Sequence, residues 1–522
     1  MSNSKKAFLF VRDYSEQGDD LLYILDGSHI EKTSAEKIIN EEAELICHDY
    51  WLIAPAIYKA TKKLPKSITD IEELRISTSG RRIDRESKEK IDISNALSKF
   101  ADNTIIKNYL AIFNRKKLVD EEVLSAIGTA LLSLSEKIEI EAKQQNEWER
   151  FVQIERPITE QLITSTSEGI GIDTEQLRLH KKNIDFEYYM ALKNFSSKYN
   201  MPLEVPTDEA IIKFLEPKGY DFTGVNVDYV LKFVPMQDNF AIDALNLLKI
   251  SKSRKVLNLI PLSQKRIFPI TDIFGSITSR IYYKDPSLQN LAKQHRNIIC
   301  PDEGKSLSYV DFDQFEAGIM GALSGDTELL ELYKIGDLYE AVSDEIFKDK
   351  TFRKQAKRLF LSYAYGMKKH SLYDAAANYG ADRQLAKEFF NRFSVFEKWK
   401  TSIHSEYSAN GIIGTSMGNH MRRDRTGALS EQEKRSAVSQ VVQGTASLIF
   451  KKALLRLRDD SRFEIKVPMH DAVLFQHDDK FDPAIVASNF ASAMTEHFQG
   501  EITGKASLGN FFQPKIFESQ IR

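Results

Sequence analysis

Hydrophobic and polar positions in the first part of the chain follow strand-like and helical patterns in turn. Short apolar runs at residues 7–11 and 21–25, separated by polar and glycine residues, predict a β-hairpin. Beyond it, the pattern predicts a helix at 34–43 capped near Ser34, a strand at 44–47, and helices between 95 and 143. We therefore expect an α/β region that ends near residue 148.

The rest of the chain is predicted to mix helices with short strands. Helical spacing covers 148–167, and a turn with a short strand at 168–173 leads to a long helix at 174–200. Further elements are predicted at 240–248 (helix), 267–270 (strand), 314–347 and 353–405 (helices), and 431–458 (helix). The predicted fold class is mixed α/β.

Two aspartates stand where apolar strands end. Residues 307–310 form a strand-like run directly before Asp311, and 467–475 has the pattern of a hairpin with Asp471 at its turn. A fixed backbone can aim such carboxylates into a cleft, and one carboxylate alone does not hold two hard cations. We expect Asp311 and Asp471 to be adjacent in space, although either one alone is more often a turn residue.

A helix with a basic start and an apolar end is predicted at 353–366. Arg353, Lys357, Leu361 and Tyr365 recur every four residues, which places them along one helix face. The cationic start suits the phosphates of a nucleotide, and the apolar end suits its base. A surface helix with a solvated basic start explains the same pattern when the helix is considered alone.

Two further polar stretches have side chains suited to a nucleic-acid surface. Those within 278–290 are Arg280, Lys284, Gln289 and Asn290, types that contact phosphates, sugars and base edges. Arg435 and Gln443 are eight residues apart on a predicted helix, on nearly the same face. Taken in isolation, 278–290 is better explained as a turn followed by a polar loop, and surface polarity explains Arg435 and Gln443 equally well.

Composition limits the classes of protein that remain. The chain has 522 residues, 42% hydrophobic and 28% charged, with a net charge of −3, and it is too long for one core. These values exclude a wholly basic nucleic-acid binder. Residues 249–266 and 353–370 nevertheless each carry six basic residues and no acidic one, which suits a polyanion-binding groove.

Cysteine use and segment hydrophobicity predict the compartment. Cys47 and Cys300 form neither a disulfide framework nor a zinc pattern, which favours a reducing environment. The apolar segments of the sequence fall short of membrane-spanning length. We expect a cytoplasmic protein with no membrane partner.

The order of the motifs resembles that of the family A DNA polymerases, the DNA polymerase I-like enzymes. Five short motifs follow one another as they do in that family, and the resemblance covers residues 149–522. The motifs are Thr278 to Arg280 with Pro286 to Asn290, Asp311 to Glu316, Arg353 and Lys357 with Tyr365 and Gly366, Gln443 to Ala446, and His470 to Ala472. Because the motifs agree in both residue type and order, a match by chance is very improbable.

The resemblance implies a right-hand polymerase with palm, fingers and thumb, preceded by an RNase H-like α/β domain of the 3′-5′ exonuclease type. The expected divisions are 1–148 for the exonuclease-like domain, 149–260 for the palm-entry helix and thumb, 261–332 for the first part of the palm, 333–405 for the fingers, and 406–522 for the second part of the palm.

The resemblance further implies template-directed DNA synthesis, in which dNTPs are added to a primer 3′-hydroxyl. Asp311 and Asp471 become the catalytic residues, and with the backbone carbonyl of Phe312 they bind two magnesium ions, or manganese in their place. The residues implied to bind the dNTP are Arg353, Lys357, Leu361, Tyr365, Glu316 and Gln314. The residues implied to bind DNA are Arg280, Gln289, Asn290, Arg435, Gln443 and His470. Glu316 matches the family's steric gate against ribonucleotides.

The implied partners are primer-template DNA, dNTPs and replication accessory proteins, with the chain acting as a monomer. The implied role is replication of a phage or plasmid, or DNA repair, in the cytoplasm of a bacterial or phage-infected cell. Two alternatives stay open from the sequence: a single-subunit RNA polymerase, which Glu316 disfavours, and a catalytically silent DNA-binding subunit.

Several positions depart from the family pattern and give the silent alternative its support. Leu361 and Phe360 stand where the family has an aromatic residue and an asparagine, so we expect base stacking at this helix to differ. The other departures are Ser362 for glycine, Gly318 for arginine, and Ala472 for an acidic residue. Both aspartates are retained, and we therefore expect activity.

The N-terminal region resembles the family's exonuclease domain only faintly. That domain holds two metals with four carboxylates, in a D-x-E strand and two later motifs. Alignment places Val11 and Asp13 at the first pair, Ile53 at the next aspartate, and Glu121 and Ser125 near the last pair. At most one ligand remains, and we predict an exonuclease-like fold without proofreading.

Overall fold

A computed structural model gives the structure of the protein. It describes residues 4–12, 20–86, 93–220, 222, 226–231 and 238–512. Helices predominate, and the strands form a five-stranded sheet, a four-stranded sheet and smaller sheets. No helix in these ranges is both long enough and apolar enough to cross a membrane.

The first sheet lies in the N-terminal region. Its strands are β1 (Lys5–Arg12), β2 (Asp20–Asp26), β3 (His29–Thr33), β4 (Glu44–Cys47) and β5 (Ile68–Asp70), in the order β3-β2-β1-β4-β5. β1 pairs antiparallel with β2 and parallel with β4. The predicted hairpin and the predicted strand at 44–47 are confirmed. Apolar side chains on both faces of the sheet are buried, so helices cover it on both sides.

The helices of this region are α1 (Ala35–Ile38), α2 (Ala54–Thr61), α3 (Ile71–Ser79), α4 (Arg82–Glu86), α5 (Ile93–Leu97), α6 (Asn103–Phe113) and α7 (Glu121–Gln144). The predicted helix at 34–43 is wrong in length, because it stops at Ile38. Ser34 caps it as expected, but Ile38 is its one buried side chain, so little packing favours extension. The helical spacing after residue 95 is confirmed.

The next segment passes from the N-terminal region into the rest of the molecule. Its elements are α8 (Trp148–Arg150), a π-helical turn (Phe151–Glu155), α9 (Arg156–Glu168), β6 (Ile170–Ile172), α10 (Thr174–Tyr199), α11 (Asp208–Leu215), α12 (Val227–Leu231) and α13 (Asn239–Leu259). α10 and α13 pack together along a separate apolar core. The basic stretch at 249–266 begins in the second half of α13 and extends past its end.

Short strands and a bundle of helices follow. The strands are β7 (Arg266–Ile267), β8 (Ile270–Asp272), β9 (Tyr282–Lys284), β10 (Ile299–Cys300) and β11 (Lys305–Phe312). The helices are α14 (Phe315–Ser324), α15 (Thr327–Ile335), α16 (Leu338–Phe347), α17 (Arg353–Ala364), α18 (Lys369–Asn378), α19 (Arg383–Asn391) and α20 (Ser394–Asn410). The predicted strand at 267–270 is wrong, because Ile267 pairs with β6 and Ile270 begins a separate hairpin with β9.

The last part of the chain completes the four-stranded sheet. Its elements are β12 (Ile412–Thr415), β13 (Gly418–Arg422), α21 (Glu431–Leu455), β14 (Phe463–Pro468), β15 (Ala472–Asp478), α22 (Ala484–His497) and β16 (Ala506–Leu508). The sheet order is β14-β15-β11-β16, and the strand pairs are antiparallel. α21 lies across this part and is buried along most of its length.

A buried ion network joins the N-terminal region to the helices behind the sheet. Arg150 is fully buried and donates to Glu147 at 2.8 Å, to Glu155, and to the Ser77 hydroxyl at 2.8 Å. Lys451 of α21 donates to Glu155 at 2.6 Å. Each charge therefore has an opposite partner, as burial requires.

Candidate active site

The four-stranded sheet brings Asp311 and Asp471 together. Asp311 lies in β11 opposite Ala472 of β15, and the N–H of Phe312 donates to the carbonyl oxygen of Asp471 at 3.1 Å. Asp471 occupies the turn between β14 and β15. The predicted strand end and hairpin turn are thus confirmed, and pairing between strands explains how residues distant in sequence become neighbours.

The charges of the two carboxylates repel each other. Burial and the nearby Asp471 raise the pKa of Asp311 to about 7. The pKa of Asp471 is raised as well, by desolvation and by Glu316. Asp471 is exposed to solvent in its turn, while protein atoms around its carboxyl still disfavour the charged form. Lys357 opposes both shifts.

One carboxylate oxygen of Asp311 is buried without a hydrogen-bond partner in the described part of the chain. Buried acceptors normally have a partner, and two crowded carboxylates are stabilised by cations. Oxygen donors of this kind suit magnesium or manganese. The side chains present therefore fit a divalent-cation site.

Helix α17 lies beside the aspartates and carries the predicted phosphate-binding face. Arg353 donates through Nε and Nη2 to the same oxygen of Asp337, at 2.7 and 2.5 Å. Arg353 and Lys357 lie over the ring of Tyr339, at 5.6 and 5.3 Å from its centroid. Lys357 is exposed, and Leu361 packs partly against the core. The basic start of the helix is therefore held in place and open to solvent.

Glu316 is fixed from two sides. One of its oxygens accepts a hydrogen bond from Arg280 at 2.6 Å, and the other accepts from the Tyr365 hydroxyl at 2.6 Å. The side chain of Gln443 also bonds to Tyr365. These four residues come from separate predicted motifs, and the structure joins them in one hydrogen-bonded group. Both oxygens of the carboxylate are therefore held by a donor.

Gln314 has a local structural role that its motif did not indicate. It caps α14 in the left-handed conformation, with φ 52°. Its amide nitrogen donates to the carbonyl of Gly336 at 2.5 Å, and its amide oxygen accepts from the N–H of Leu338 at 2.8 Å. The side chain therefore ties β11 to the start of α16, and its contact with a dNTP stays a prediction.

The residues predicted to bind DNA lie in different parts of the site, and Gln289 and Asn290 lie on the loop after β9. Gln289 folds back on its own loop, bonding the N–H and the carbonyl of Tyr283 at 3.2 and 3.0 Å, and Asn290 is exposed beside Ser287. His470 lies near the aspartates, with its ring 5.0 Å from that of Tyr282. Burial and Arg280 lower the pKa of His470 to about 4, so its imidazole is neutral at pH 7.

Arg435 and Gln443 are half-buried on α21, as their spacing predicted for one helix face. Gly366 approaches Arg435 closely: a Cβ at Gly366 would lie 3.4 Å from Cγ of Arg435. Gly366 also has φ +93°, which favours glycine. The end of α17 therefore meets α21 beside Tyr365.

Sequence reasoning missed several polar residues around this site. Asp337 pairs with Arg353, and Asn419 and Gln440 are fully buried on β13 and α21. The sequence does contain a signal for Asp337: an aspartate directly before a helical pattern predicts an N-cap, and Asp337 is the N-cap of α16. Its second oxygen, the one that meets Arg353, had no sequence signal.

Of the positions aligned to exonuclease ligands in the N-terminal region, Val11 and Ile53 are apolar, whereas Glu121 and Ser125 are polar and lie on α7. Val11 and Ile53 are buried and line a cavity of about 270 Å³ together with Phe10, Leu52 and Phe113. Asp13 lies outside the described residues, and Glu121 is exposed at the start of α7. His48, Asp49 and Glu72 are grouped nearby, with ligand atoms within 4.8 Å of one another. The absence of proofreading stays a prediction.

The fold and the site assign the protein to a class that carries two adjacent aspartates on an antiparallel sheet, with a cationic helix beside them. Residues 237–508 match the sequence model of DNA polymerase family A. This match spans more than half of the chain, and the chain therefore belongs to DNA polymerase family A.

Curated relatives are similar to parts of the chain. The thermostable DNA polymerase I of Thermus aquaticus is 27% identical over 201 residues, 35% of this chain and 24% of that protein. The DNA polymerase I of Aquifex aeolicus is 24% identical over 315 residues, covering 55% and 52% of the two chains. For Bacillus caldotenax DNA polymerase I, identity is 22% over 413 residues, covering 69% and 46%. The chain thus spans from a quarter to about half of these relatives' lengths.

A solved structure shares the fold. The POL domain of Pol1 from M. smegmatis, in complex with DNA primer-template and dNTP, superposes with a TM-score of 0.75 at 18% identity. The similarity covers 97% of this chain and 95% of that one. The prediction of a mixed α/β right-hand polymerase fold is confirmed.

Proposed function

We propose that the protein is a template-directed DNA polymerase that adds dNTPs to a primer 3′-hydroxyl. The observation that carries the proposal is the pair of crowded carboxylates, Asp311 and Asp471, with a buried Asp311 oxygen that has no partner in the described structure. Family membership and the DNA polymerase names of the relatives give further support.

Asp311, Asp471 and the Phe312 carbonyl would hold two magnesium ions, or manganese in their place. When bound, such ions lower the pKa of a hydroxyl nucleophile and offset the charge of a triphosphate. The chain itself supplies the two carboxylates, because Asp311 lies in the β11–β15 ladder and the N–H of Phe312 ties the carbonyl of Asp471 to it. Preorganised ligands of this kind need little rearrangement when substrate arrives.

Lys357 and Arg353 would bind the triphosphate of the incoming dNTP. Lys357 is exposed, and its positive charge lowers the pKa of both aspartates, which supports this role. Arg353 donates twice to one oxygen of Asp337, and that contact orients its guanidinium before substrate arrives. Positive charge beside a phosphoryl group stabilises its transfer.

Glu316 would exclude ribonucleotides by occupying the space of a 2′-hydroxyl. Its hydrogen bonds to Arg280 and Tyr365 fix the carboxylate at 2.6 Å from each donor. Because hydrogen bonds hold both of its oxygens, an added hydroxyl would meet an occupied volume. Tyr365 and Leu361 would border the new base pair.

Primer-template DNA is the proposed macromolecular partner, held by Arg280, Gln289, Asn290, Arg435, Gln443 and His470. The complex of the M. smegmatis neighbour with DNA primer-template and dNTP supports this partner. We further propose the division into exonuclease-like domain, thumb, palm and fingers given above, action as a monomer, association with replication accessory proteins, a cytoplasmic location, and the absence of proofreading.

Primer extension with magnesium tests the proposal. Wild-type protein should extend a labelled primer, and Asp471→Ala should reduce extension by roughly 10³-fold or more, since it removes half of the carboxylate pair. Asp459→Ala, at an exposed aspartate in the turn after α21, is the matched control and should extend like wild type. Equal absence of extension in all three proteins would instead support a silent DNA-binding subunit.

A further inference from the structure

Arg85 of the N-terminal region reaches into the polymerase part of the molecule. It is buried, and it donates through Nη1 to the carbonyl of Ile277 and, at 2.9 Å, to the side-chain oxygen of Asn419. Its guanidinium also lies 5.9 Å from the ring centroid of Phe274. Burial and Arg150 lower the pKa of Arg85 to about 10, so the side chain stays charged at neutral pH.

Asn419 connects Arg85 to several other residues by hydrogen bonds. It is fully buried on β13, and its side-chain oxygen also accepts from the Ser279 hydroxyl at 2.8 Å. Its amide nitrogen donates to the carbonyl of Thr278 at 3.2 Å. Its backbone N–H donates to Glu147 at 2.9 Å, and its carbonyl accepts from Gln440 at 2.6 Å. Both ends of the amide are therefore used, which fixes its orientation.

Several of these hydrogen bonds are made with the loop at residues 275–280. Ser279 is fully buried with φ 60°, a conformation that costs energy unless its surroundings hold it. Its carbonyl accepts from the Ser447 hydroxyl at 2.5 Å, and the N–H of Gly275 closes the loop on the carbonyl of Arg280 at 3.0 Å. Arg85 and Asn419 thus hold three successive residues of the loop.

Arg280 stands at the end of this loop, at 2.6 Å from Glu316. A shift of the loop would move Arg280, and with it the group formed by Glu316, Tyr365 and Gln443. The backbone around Arg85 is itself fixed to β13, because the N–H of Arg422 donates to the carbonyl of Gly80 at 2.9 Å. A Cβ at Gly80 would lie 2.8 Å from the carbonyl oxygen of His420, so glycine permits this approach.

We propose that Arg85 is a positioning residue for primer-template binding: it fixes the loop that presents Arg280 to DNA. The N-terminal region then supports DNA synthesis by holding this loop in place, and this role does not depend on any nuclease activity. This inference rests on the proposed polymerase function and adds to it a contact between two regions that no motif joins.

Binding and turnover measured separately test the inference. Arg85→Met keeps the volume of the side chain and removes its donors. We expect it to weaken the affinity for a fluorescent primer-template by about tenfold, because lost contacts of about 1.4 kcal/mol correspond to that factor. The rate at saturating DNA and dNTP should change by less than about threefold, since the aspartates are untouched. Arg85→Lys should restore part of the affinity.

Arg81→Met is the matched control, at an exposed arginine one turn earlier, and it should bind DNA like wild type. Arg280→Met should weaken binding, and adding Arg85→Met to it should cause little further loss, because both act through one contact. Full additivity, or affinity in a folded Arg85→Met protein equal to that of Arg81→Met, would overturn the inference.

A folding defect does not end the test. If Arg85→Met does not give the wild-type circular dichroism spectrum, Ser279→Ala replaces it, since it removes only the 2.8 Å bond to Asn419. We expect about threefold weaker DNA binding at an unchanged saturated rate, and unchanged binding would refute the proposal. Failure of wild-type protein to extend primers would refute the polymerase function, while the binding measurements would still decide the role of Arg85.

Discussion

Selection against ribonucleotides provides a sensitive test of the site geometry. Glu316 accepts hydrogen bonds from Arg280 and Tyr365, both at 2.6 Å, and its side chain is 19% exposed. Glu316→Ala removes the volume and both bonds. Glu316→Gln keeps the volume, and its amide can still accept from Arg280 while donating to the Tyr365 hydroxyl. The two variants therefore separate steric exclusion from charge.

The expected magnitudes follow from volume and hydrogen bonding. Extra atoms in a packed site cost about 1–3 kcal/mol, so loss of the Glu316 side chain should reduce discrimination between dNTP and rNTP by roughly 5- to 150-fold. Exchange of a charged for a neutral hydrogen bond costs about 1 kcal/mol, so Glu316→Gln should slow use of both nucleotides about fivefold with an unchanged ratio. Glu316→Ala should also slow dNTP use, because Arg280 loses its carboxylate.

The assay is single-nucleotide primer extension, with kcat/KM measured for a dNTP and for the matching rNTP. The readout is the ratio of the two values, because general damage to the enzyme affects both. Glu340→Ala, at an exposed glutamate on α16, is the control and should keep the wild-type ratio. Equal loss of discrimination in the Gln and Ala variants, or none in the Ala variant, would refute steric exclusion by Glu316.

Three further predictions concern stability and the N-terminal region. Arg150→Met should destabilise the protein by about 3–5 kcal/mol in urea unfolding, because it leaves buried carboxylates undercompensated, whereas Arg178→Met, in an exposed ion pair with Glu175, should cost under about 1 kcal/mol. Burial lowers the pKa values of His295 and His497 to about 4, whereas the value in the unfolded chain is 6.5. Between pH 6.5 and pH 4 these histidines are therefore protonated in the unfolded chain but not in the folded one. Protonation then favours unfolding, and the urea midpoint should fall as the pH drops through this range. Equal midpoints at pH 7 and pH 5 would contradict this assignment. A labelled mismatched 3′ end should not be trimmed with magnesium, and trimming that disappears in Asp13→Ala would show that proofreading is present.

Local patterns in the sequence predicted much of the secondary structure and the pairing at the site. Apolar strand runs placed Asp311 and Asp471 at a strand end and a turn, and antiparallel pairing then brought them together. The four-residue repeat from Arg353 predicted one face of α17 correctly, because helix geometry depends only on spacing. Helical spacing similarly predicted α10 and α21, apart from a few residues at their ends.

Contacts that depend on tertiary packing were beyond local patterns. Arg85 bonds to Asn419, which is 334 residues away in sequence, and no pattern around either residue indicates the other. The length of α1 and the split of the predicted strand at 267–270 depend on what each segment packs against, not on its own composition. The engagement of Gln314 with Leu338 likewise depends on how β11 meets α16.

Template dependence is the central claim, and primer extension with each dNTP omitted in turn measures it directly. On a primed template of known sequence with magnesium, wild-type protein should stop one position before each templating base whose partner is missing. Omission of a nucleotide that the template does not require should change nothing. Absence of extension with all dNTPs present, or products that ignore which nucleotide was omitted, would contradict the account.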